Sequence, residues 1–483
     1  MVERSTSAWM LPAEAMPVSV PAASQLRAAR VEGWLAGLGY RPVSRSRRRG
    51  PPAFAPGRGT LAALAGAAAR LVAAPWLAVA AARERPAVVF TNSALNAPAL
   101  ALIKLVLRGD VLCLADAMGL RSLEVEQTTR WAPARAVYRP LWALLERLMF
   151  ASADVVLTVN ERHAELIRER HPGTRVRVVR DGAEAELGAL EPAARASRGI
   201  PAQAVAVCFV GSLVCRRLDR LLDAWGRLVP ATGRDGQAAL CLVVVGDGPD
   251  LRSYRRRAAS AGWLGRSVLF LGALPRDDAL AAAQACDIAY SDCWSEAGLP
   301  HKLYEYMALG MPIVTERRPQ MTEILEHGRS ALFFDGPNDL ALRIRALADD
   351  AGLRARLGGR ARAAFLDGHT LTARRLEFES ALAAYSVHGT VEQVRVARWA
   401  VARALRSLAR FDEALDIQRR LAELGPADGY VEEELAELLL ATGDRAKAAE
   451  HAAAAVRLLS TDSWFAEYES GRLDRLRQLA QAG

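Results

Sequence analysis

Short apolar runs alternate with helical patterns over most of this chain, and the alternation comes in two series. Residues 18–20, 41–43, 87–90, 111–115, 155–159 and 176–179 read as a first set of strands. Residues 205–210, 240–245, 268–271, 288–290, 312–315 and 331–334 read as a second. Helix-length segments separate neighbouring runs, beginning with a helix over 26–38 that Gly39 stops. Strands joined by helices pair in parallel and carry helices on both faces of the sheet. Residues 45–58, rich in Arg, Pro and Gly, read as a loop, and 182–202 has the composition of a linker. The expectation is α/β: two Rossmann-like domains, joined near residue 190, facing a cleft that is the default ligand site.

From about residue 394 the pattern becomes wholly helical, with a period of thirty-four residues. Val401, Ala402, Leu405, Ala414 and Leu421 recur as Leu435, Ala436, Leu439, Ala448 and Ala455. Pro426 closes the first unit and Gly443-Asp444 marks the turn inside the second. This resembles tetratricopeptide repeats, helix pairs with small residues at close-packed positions. The plainer alternative is an alanine-rich helical tail whose matches follow from composition. The expected division is 1–190, 191–370, a crossing helix and linker over 371–389, and a helical extension over 390–483.

Charge and cysteine usage narrow the function classes. The 483 residues carry a formal charge of +9 with a pI near 9.5. Only Lys104, Lys302 and Lys447 are lysines; the other sixty positive charges are arginines. Arginine is raised along the whole chain, so the excess charge does not by itself indicate nucleic acid. Apart from a short cluster at 45–49 there is no basic run, and no interleaved basic and aromatic stripe. The six cysteines are scattered, mostly in apolar runs, without a CxxC pair. That argues against a disulfide framework or a zinc site and fits a reducing cytosol. Residues 1–16 lack the apolar stretch of a signal peptide. Residues 59–82 approach spanning length but contain Arg70 and Pro75, and 86–103 contains Asn92, Ser93, Asn96 and Pro98. Residues 135–150 read as a helix packed on a sheet or as a basic amphipathic surface helix. A peripheral location at the inner membrane face therefore stays open.

The second series holds the residues with chemical content. Phe209-Val210-Gly211 runs from a strand into a glycine turn and then a loop with Arg216 and Arg217, whose guanidinium groups suit phosphate oxygens. Gly248 and Gly272 follow two further strands at the ends where open α/β sheets bind ligands, though each is equally readable as a plain turn. The segment from Gly298 through Leu299, Pro300, His301, Lys302, Leu303 and Glu305 to Pro312 is the most specific. Pro300 suits the first turn of a helix, and Lys302 then opposes the helix dipole, which makes sense if an anion sits there. Glu305 lies three residues on and could accept hydrogen bonds from a ribose diol. The alternative is an exposed Lys302–Glu305 ion pair worth a few tenths of a kcal/mol. Asp116, at a strand end with Gly119 and Arg121 after it, reads as a substrate contact or an Asx turn.

These residues, in this order, resemble retaining GT-B glycosyltransferases of family four, the glycosyl transferases group 1. The resemblance spans about residues 87–385. It includes Leu145-Glu146-Arg147, Ala153-Asp154 with its strand to Asn160, and the turn Arg180-Asp181-Gly182. It is most specific over 209–323, where Pro300 to Pro312 matches P-x-KL-[FY]-EYMA-x-G-x-P. It implies metal-independent transfer of a sugar from a UDP, GDP or dTDP sugar, with retained configuration and no tightly bound cofactor. Arg216, Arg217 and Lys302 would hold the donor diphosphate, Glu305 the ribose, and Asp116 donor or acceptor. Three departures stand out: Ala297 replaces the first glutamate of E-x7-E, with Glu296 one position off; Ala115 replaces the histidine of an "HD" element; and Pro21-Ala22-Ala23-Ser24 replaces a glycine-rich loop. A rival from another class is a degenerate transferase fold that recruits a partner through its helical tail. A glucan phosphorylase is set aside, since it needs a pyridoxal-phosphate lysine and a much longer chain. The acceptor is not identified, and the repeats suggest self-association or a protein partner.

Overall fold

A computed structural model describes residues 7–11, 23–38, 40–45, 59–108, 110–129, 132–190, 192–214, 217–229, 239–293, 298–383, 399, 401–423, 428–461, 465 and 469–481. They fall into two compact units, 1–374 and 375–483.

The first unit contains two six-stranded parallel sheets. Strands β1 (Ser7–Met10), β2 (Arg41–Ser44), β3 (Val88–Thr91), β4 (Leu112–Ala117), β5 (Val155–Thr158) and β6 (Val176–Val178) are ordered β2-β1-β3-β4-β5-β6. Helices α1 (Ala23–Gly37), α2 (Gly59–Glu84), α3 (Ala97–Leu107), α4 (Arg121–Thr128), α5 (Ala132–Ser152) and α6 (Glu161–Arg170) link them. The opening strand corrects the sequence reading. It is Ser7–Met10, fully buried, whereas the strand expected at 18–20 lies outside the described residues. Four residues without a β-branched side chain give little strand signal, and only burial between β2 and β3 makes the assignment plain. The sequence that follows this strand, residues 11–22, also contains no glycine.

The second sheet holds β7 (Val205–Val210), β8 (Leu240–Val245), β9 (Val268–Gly272), β10 (Ile288–Ser291), β11 (Ile313–Glu316) and β12 (Ala331–Phe334). Their order is β12-β11-β10-β7-β8-β9. All six residues of β8, Leu-Cys-Leu-Val-Val-Val, are buried, as a strand covered on both faces requires. Helices α7 (Asp219–Leu228), α8 (Leu251–Ser260), α9 (Arg276–Gln284), α10 (Lys302–Ala308), α11 (Pro319–Thr322), α12 (Pro337–Asp349) and α13 (Ala351–Gly368) complete the layers.

The stretch 182–202 is more than a connector. Ala183, Leu187 and Ile200 are buried in the second domain's core, beside Met307 and Phe365. Its few apolar residues are spaced widely among Ala and Glu, which hides them from a composition count. The outgoing chain at Ala183 and the returning chain at 369–371 run side by side: Leu371 N donates to the Ala183 carbonyl at 3.0 Å. A Cβ at Gly182 would lie 2.6 Å from the His369 carbonyl, so this crossing leaves no room for a side chain. Helix α14 (Leu371–Ala383) begins there.

In the second unit, helices 401–407, Phe411–Glu423, Gly429–Ala441, Arg445–Leu459 and Ser470–Gln481 follow one another. All ten residues that define the thirty-four-residue period are buried. A Cβ at Gly429 would fall 2.6 Å from Leu459 Cγ, so helix packing there is backbone-close. Glu434 takes Arg406 from one neighbouring helix and Glu433 takes Arg472 from the other.

Candidate active site

The chain leaves β7 toward β8 and β9, while β10, β11 and β12 lie on the other side. Strand order thus reverses between β7 and β10, and open α/β sheets bind ligands outside the carboxyl ends of strands at such a point. Gly211 follows β7 there, with φ +147°, and Asp292 follows β10. The loops after β7 and β8 interlock tightly. A Cβ at Gly248 would sit 2.4 Å from the Leu213 carbonyl, so that glycine serves loop packing whether or not a ligand is present. Gly272 has φ +74° and open space around it, which leaves its turn geometry as the reason for glycine.

Three charges meet at this crevice. Arg217 forks onto Asp292, Nε to Oδ2 at 3.1 Å and Nη2 to Oδ1 at 3.0 Å. Lys302 Nζ donates to the same Oδ1 at 3.3 Å and lies 3.7 Å from the centroid of the Phe209 ring. Lys302 is only 7% exposed. Burial lowers its pKa to about 7; Asp292 opposes that shift and Arg217 adds to it. Burial alone would raise the Asp292 carboxyl, but Arg217 and Lys302 outweigh it and hold the group below its usual range. The anion expected at this helix start is therefore, in the first instance, a protein carboxylate. It balances one of two cations. Helix α10 is held in place from beneath, where Val210 N donates to Tyr306 Oη at 3.0 Å.

The Lys302–Glu305 ion pair considered above does not form. Both side chains are buried and turn to different partners. Glu305 Oε1 accepts Arg276 Nε at 2.9 Å, and Arg276 Nη2 reaches Glu184 Oε2 at 2.6 Å. His301 Nε2 lies 3.8 Å from Glu305 and 3.4 Å from Arg30 Nη2, which comes from α1 of the first domain. Leu299 and Pro300 are half-buried in the segment entering α10, and Leu303 is fully buried in the core. Arg216, Glu296 and Ala297 lie outside the described residues.

Asp116 is fully buried and neither exposed nor an Asx turn: its Oδ2 accepts Arg27 Nε at 2.7 Å. Burial raises its carboxyl above the usual range although Arg27 opposes this. Arg27 also donates to Asp181 Oδ1 at 3.1 Å and to the Val179 carbonyl at 2.8 Å. Sequence reading singled out neither Arg27 nor Asp292. Asp292 had a signal, an acid directly after a strand at the reversal point; Arg27, one arginine among sixty on an unremarkable helix, had none.

The two domains also touch through Glu323, just beyond α11. Its carboxylate accepts Glu161 N at 3.1 Å and Arg162 N at 3.2 Å, capping the free amides at the start of α6.

Residues 204–350 match the family model described as Glycosyl transferases group 1. No curated protein matches the chain. Among solved structures, sucrose-phosphate synthase from Thermosynechococcus elongatus aligns with a TM-score of 0.61 at 16% identity, covering 78% of this chain and 97% of that one. Anabaena HepE in complex with UDP and glucose gives 0.57 at 14% identity, covering 78% and 99%. A glycosyltransferase from Rickettsia africae gives 0.55 at 12% identity, covering 79% and 98%. At such identities the likeness establishes the fold. The chain thus has the GT-B fold, and residues 204–350 of its second domain match the family model described as Glycosyl transferases group 1.

Proposed function

We propose that this chain is a glycosyltransferase that moves a sugar from a nucleotide-diphosphate sugar, seated between the ends of β7 and β10, onto an acceptor hydroxyl with retained configuration. The observation that carries this reading is the charge count at Asp292: two buried cations, Arg217 and Lys302, share one carboxylate at the strand-reversal crevice. A second anion completes the balance, and a diphosphate supplies it. As the bond from the anomeric carbon to the diphosphate oxygen breaks, negative charge grows on that oxygen, where fixed cations in a dry site are most effective. The acceptor oxygen forms the new bond on the same face, and its proton leaves toward the departing phosphate. Arg216 would add a further cation at the same loop. Glu305 suits the ribose hydroxyls, with Arg276 holding its carboxylate in orientation. HepE, in complex with UDP and glucose, shares this fold and supports the donor class.

In this reading residues 1–190 hold the acceptor, 191–370 the nucleotide sugar, and 371–389 cross back. The tetratricopeptide-like segment 390–483 recruits a partner or a second copy, and a chain truncated after Gly389 that keeps its size and binding would remove that role.

The test is a panel of UDP, GDP and dTDP sugars, with sugar release measured for the intact protein and for Lys302→Met and Glu305→Gln. Release from at least one donor, lost in both variants, is expected. A folded protein that binds none of these nucleotides would instead be the interaction platform.

A further inference from the structure

The two domains of the first unit differ in what their helices expose. Among the described residues, twelve large apolar side chains are exposed, and nine belong to α2, α3 and α5 of the first domain. On α2, Val72, Trp76, Val79 and Arg83 follow at spacings of four, three and four, one stripe along the helix. Trp76 is 75% exposed and Val72 69%. Leu105 (72%) and Val106 continue the apolar surface on α3, and Val137, Leu141 and Leu144 on α5. α2 packs on α3 and α3 on α5, so the three exposed surfaces belong to consecutive neighbours. The helices of the second domain expose only Leu342 and Leu366 in scattered places.

This concentration needs an occupant, since soluble surfaces seldom gather so much apolar area without one. The charges around it select which. Arg83 ends the α2 stripe, Arg85 follows it, Arg108 ends α3, and Arg139 and Arg147 lie along α5, all exposed. Of the exposed acids on this side, Glu84 is paired with Arg45 and Glu126 with Arg139, and Asp110 lies two residues beyond Arg108. Beside α3 and α5 opens a cleft of about 900 Å³ lined by Arg147, Arg170 and Arg175 as well as Glu146 and Asp154, the last paired with Lys104. An apolar stripe carrying tryptophan and edged by arginine suits the boundary between acyl chains and anionic headgroups. No helix among the described residues is long and apolar enough to cross a membrane, so contact at that boundary is the geometry available.

We infer that the α2–α3–α5 face of the first domain docks on an anionic lipid bilayer, its apolar side chains entering the headgroup boundary and its arginines meeting lipid phosphates. This goes beyond sugar transfer and does not depend on it.

The experiment is co-sedimentation of the full chain with vesicles of phosphatidylcholine alone and of phosphatidylcholine with 30 mol% (about a third) phosphatidylglycerol. Two variants accompany it: Val72→Glu/Trp76→Glu/Leu144→Glu and Arg83→Glu/Arg147→Glu. Light scattering reports their size and thermal melting their fold. We expect binding to the anionic vesicles at least roughly tenfold above the neutral ones, reduced at least roughly tenfold in each folded variant. Intact protein that stays in solution with both vesicle types would overturn the inference. So would unchanged binding by a folded variant. A dimer that the first variant converts to monomer, without vesicle binding by the intact protein, would assign the face to a second copy and equally overturn it.

Discussion

The two GT-B domains each bury a charge cluster near the carboxyl end of a strand, and the two clusters have opposite balance. In the first, one cation, Arg27, serves two carboxylates, Asp116 and Asp181, and spends its remaining capacity on the carbonyls of Val179 and Arg180. In the second, one carboxylate, Asp292, serves two cations, Arg217 and Lys302. The guanidinium of Arg27 is saturated by the protein and ties α1 to β4 and to the turn after β6. Lys302 is poorly saturated, and its depressed pKa shows the cost of a second buried cation. The first cluster is short of a cation, with Asp116 Oδ1 buried and without a hydrogen-bond partner among the described residues; the second is short of an anion, which on the proposed function the donor diphosphate would supply.

Breaking the first cluster should therefore be a folding event. Arg27→Leu leaves Asp116 buried without a counter-charge and Asp181 with only His301 and Arg30 beside it, and we expect a loss of about 3–5 kcal/mol, measured by urea unfolding. Part of that stability should return at low pH, where the carboxylates protonate. Retained stability at pH 7 would mean the cluster is not the tie described.

Breaking the second cluster should separate binding from folding. Lys302→Met is expected to weaken nucleotide-diphosphate binding by roughly 30-fold or more, as removal of a partner from a buried charged contact does. Its melting temperature should not fall. The sign follows from linkage: the folded pKa is about 7 and the ordinary lysine value 10.5. Between them the unfolded chain binds more protons, so the lysine's destabilising effect is full below pH 7 and fades toward 10.5. Any gain from Lys302→Met should accordingly be greatest at or below pH 7.

The same titration gives binding its own pH dependence. Only the protonated amine attracts a diphosphate, so affinity should fall above pH 7 by up to about tenfold per unit, and this component should be missing in Lys302→Met. The smallest effect is expected at the domain contact. Glu323→Ala removes the cap on α6 and should cost about 1 kcal/mol of thermal stability with donor binding unchanged.

The contrast between the clusters was only half visible in the sequence. Lys302 stood out because lysine is rare here and because it opposes a helix dipole; the Pro300–Pro312 pattern located α10, and the central strands β7 and β8 were apolar throughout. The first domain offered less. Its opening strand is four residues long, and the arginine at its centre is chemically identical to fifty-nine others. Which carboxylate an arginine meets across 89 or 154 positions is set by topology, and no local spacing encodes it. Asp116 was legible as a strand-end acid, and its buried partner Arg27 was not.

Calorimetry at pH 8 tests the claim that the Asp292 cluster awaits a diphosphate. The best-bound of UDP, GDP and dTDP is titrated against its own nucleoside, in two buffers of different ionisation enthalpy, for intact protein and Lys302→Met. We predict that the diphosphate binds far more tightly than the nucleoside and takes up close to one proton in the intact protein, with both differences collapsing in the variant. Equal affinity for diphosphate and nucleoside, or the same proton uptake in both proteins, would contradict it.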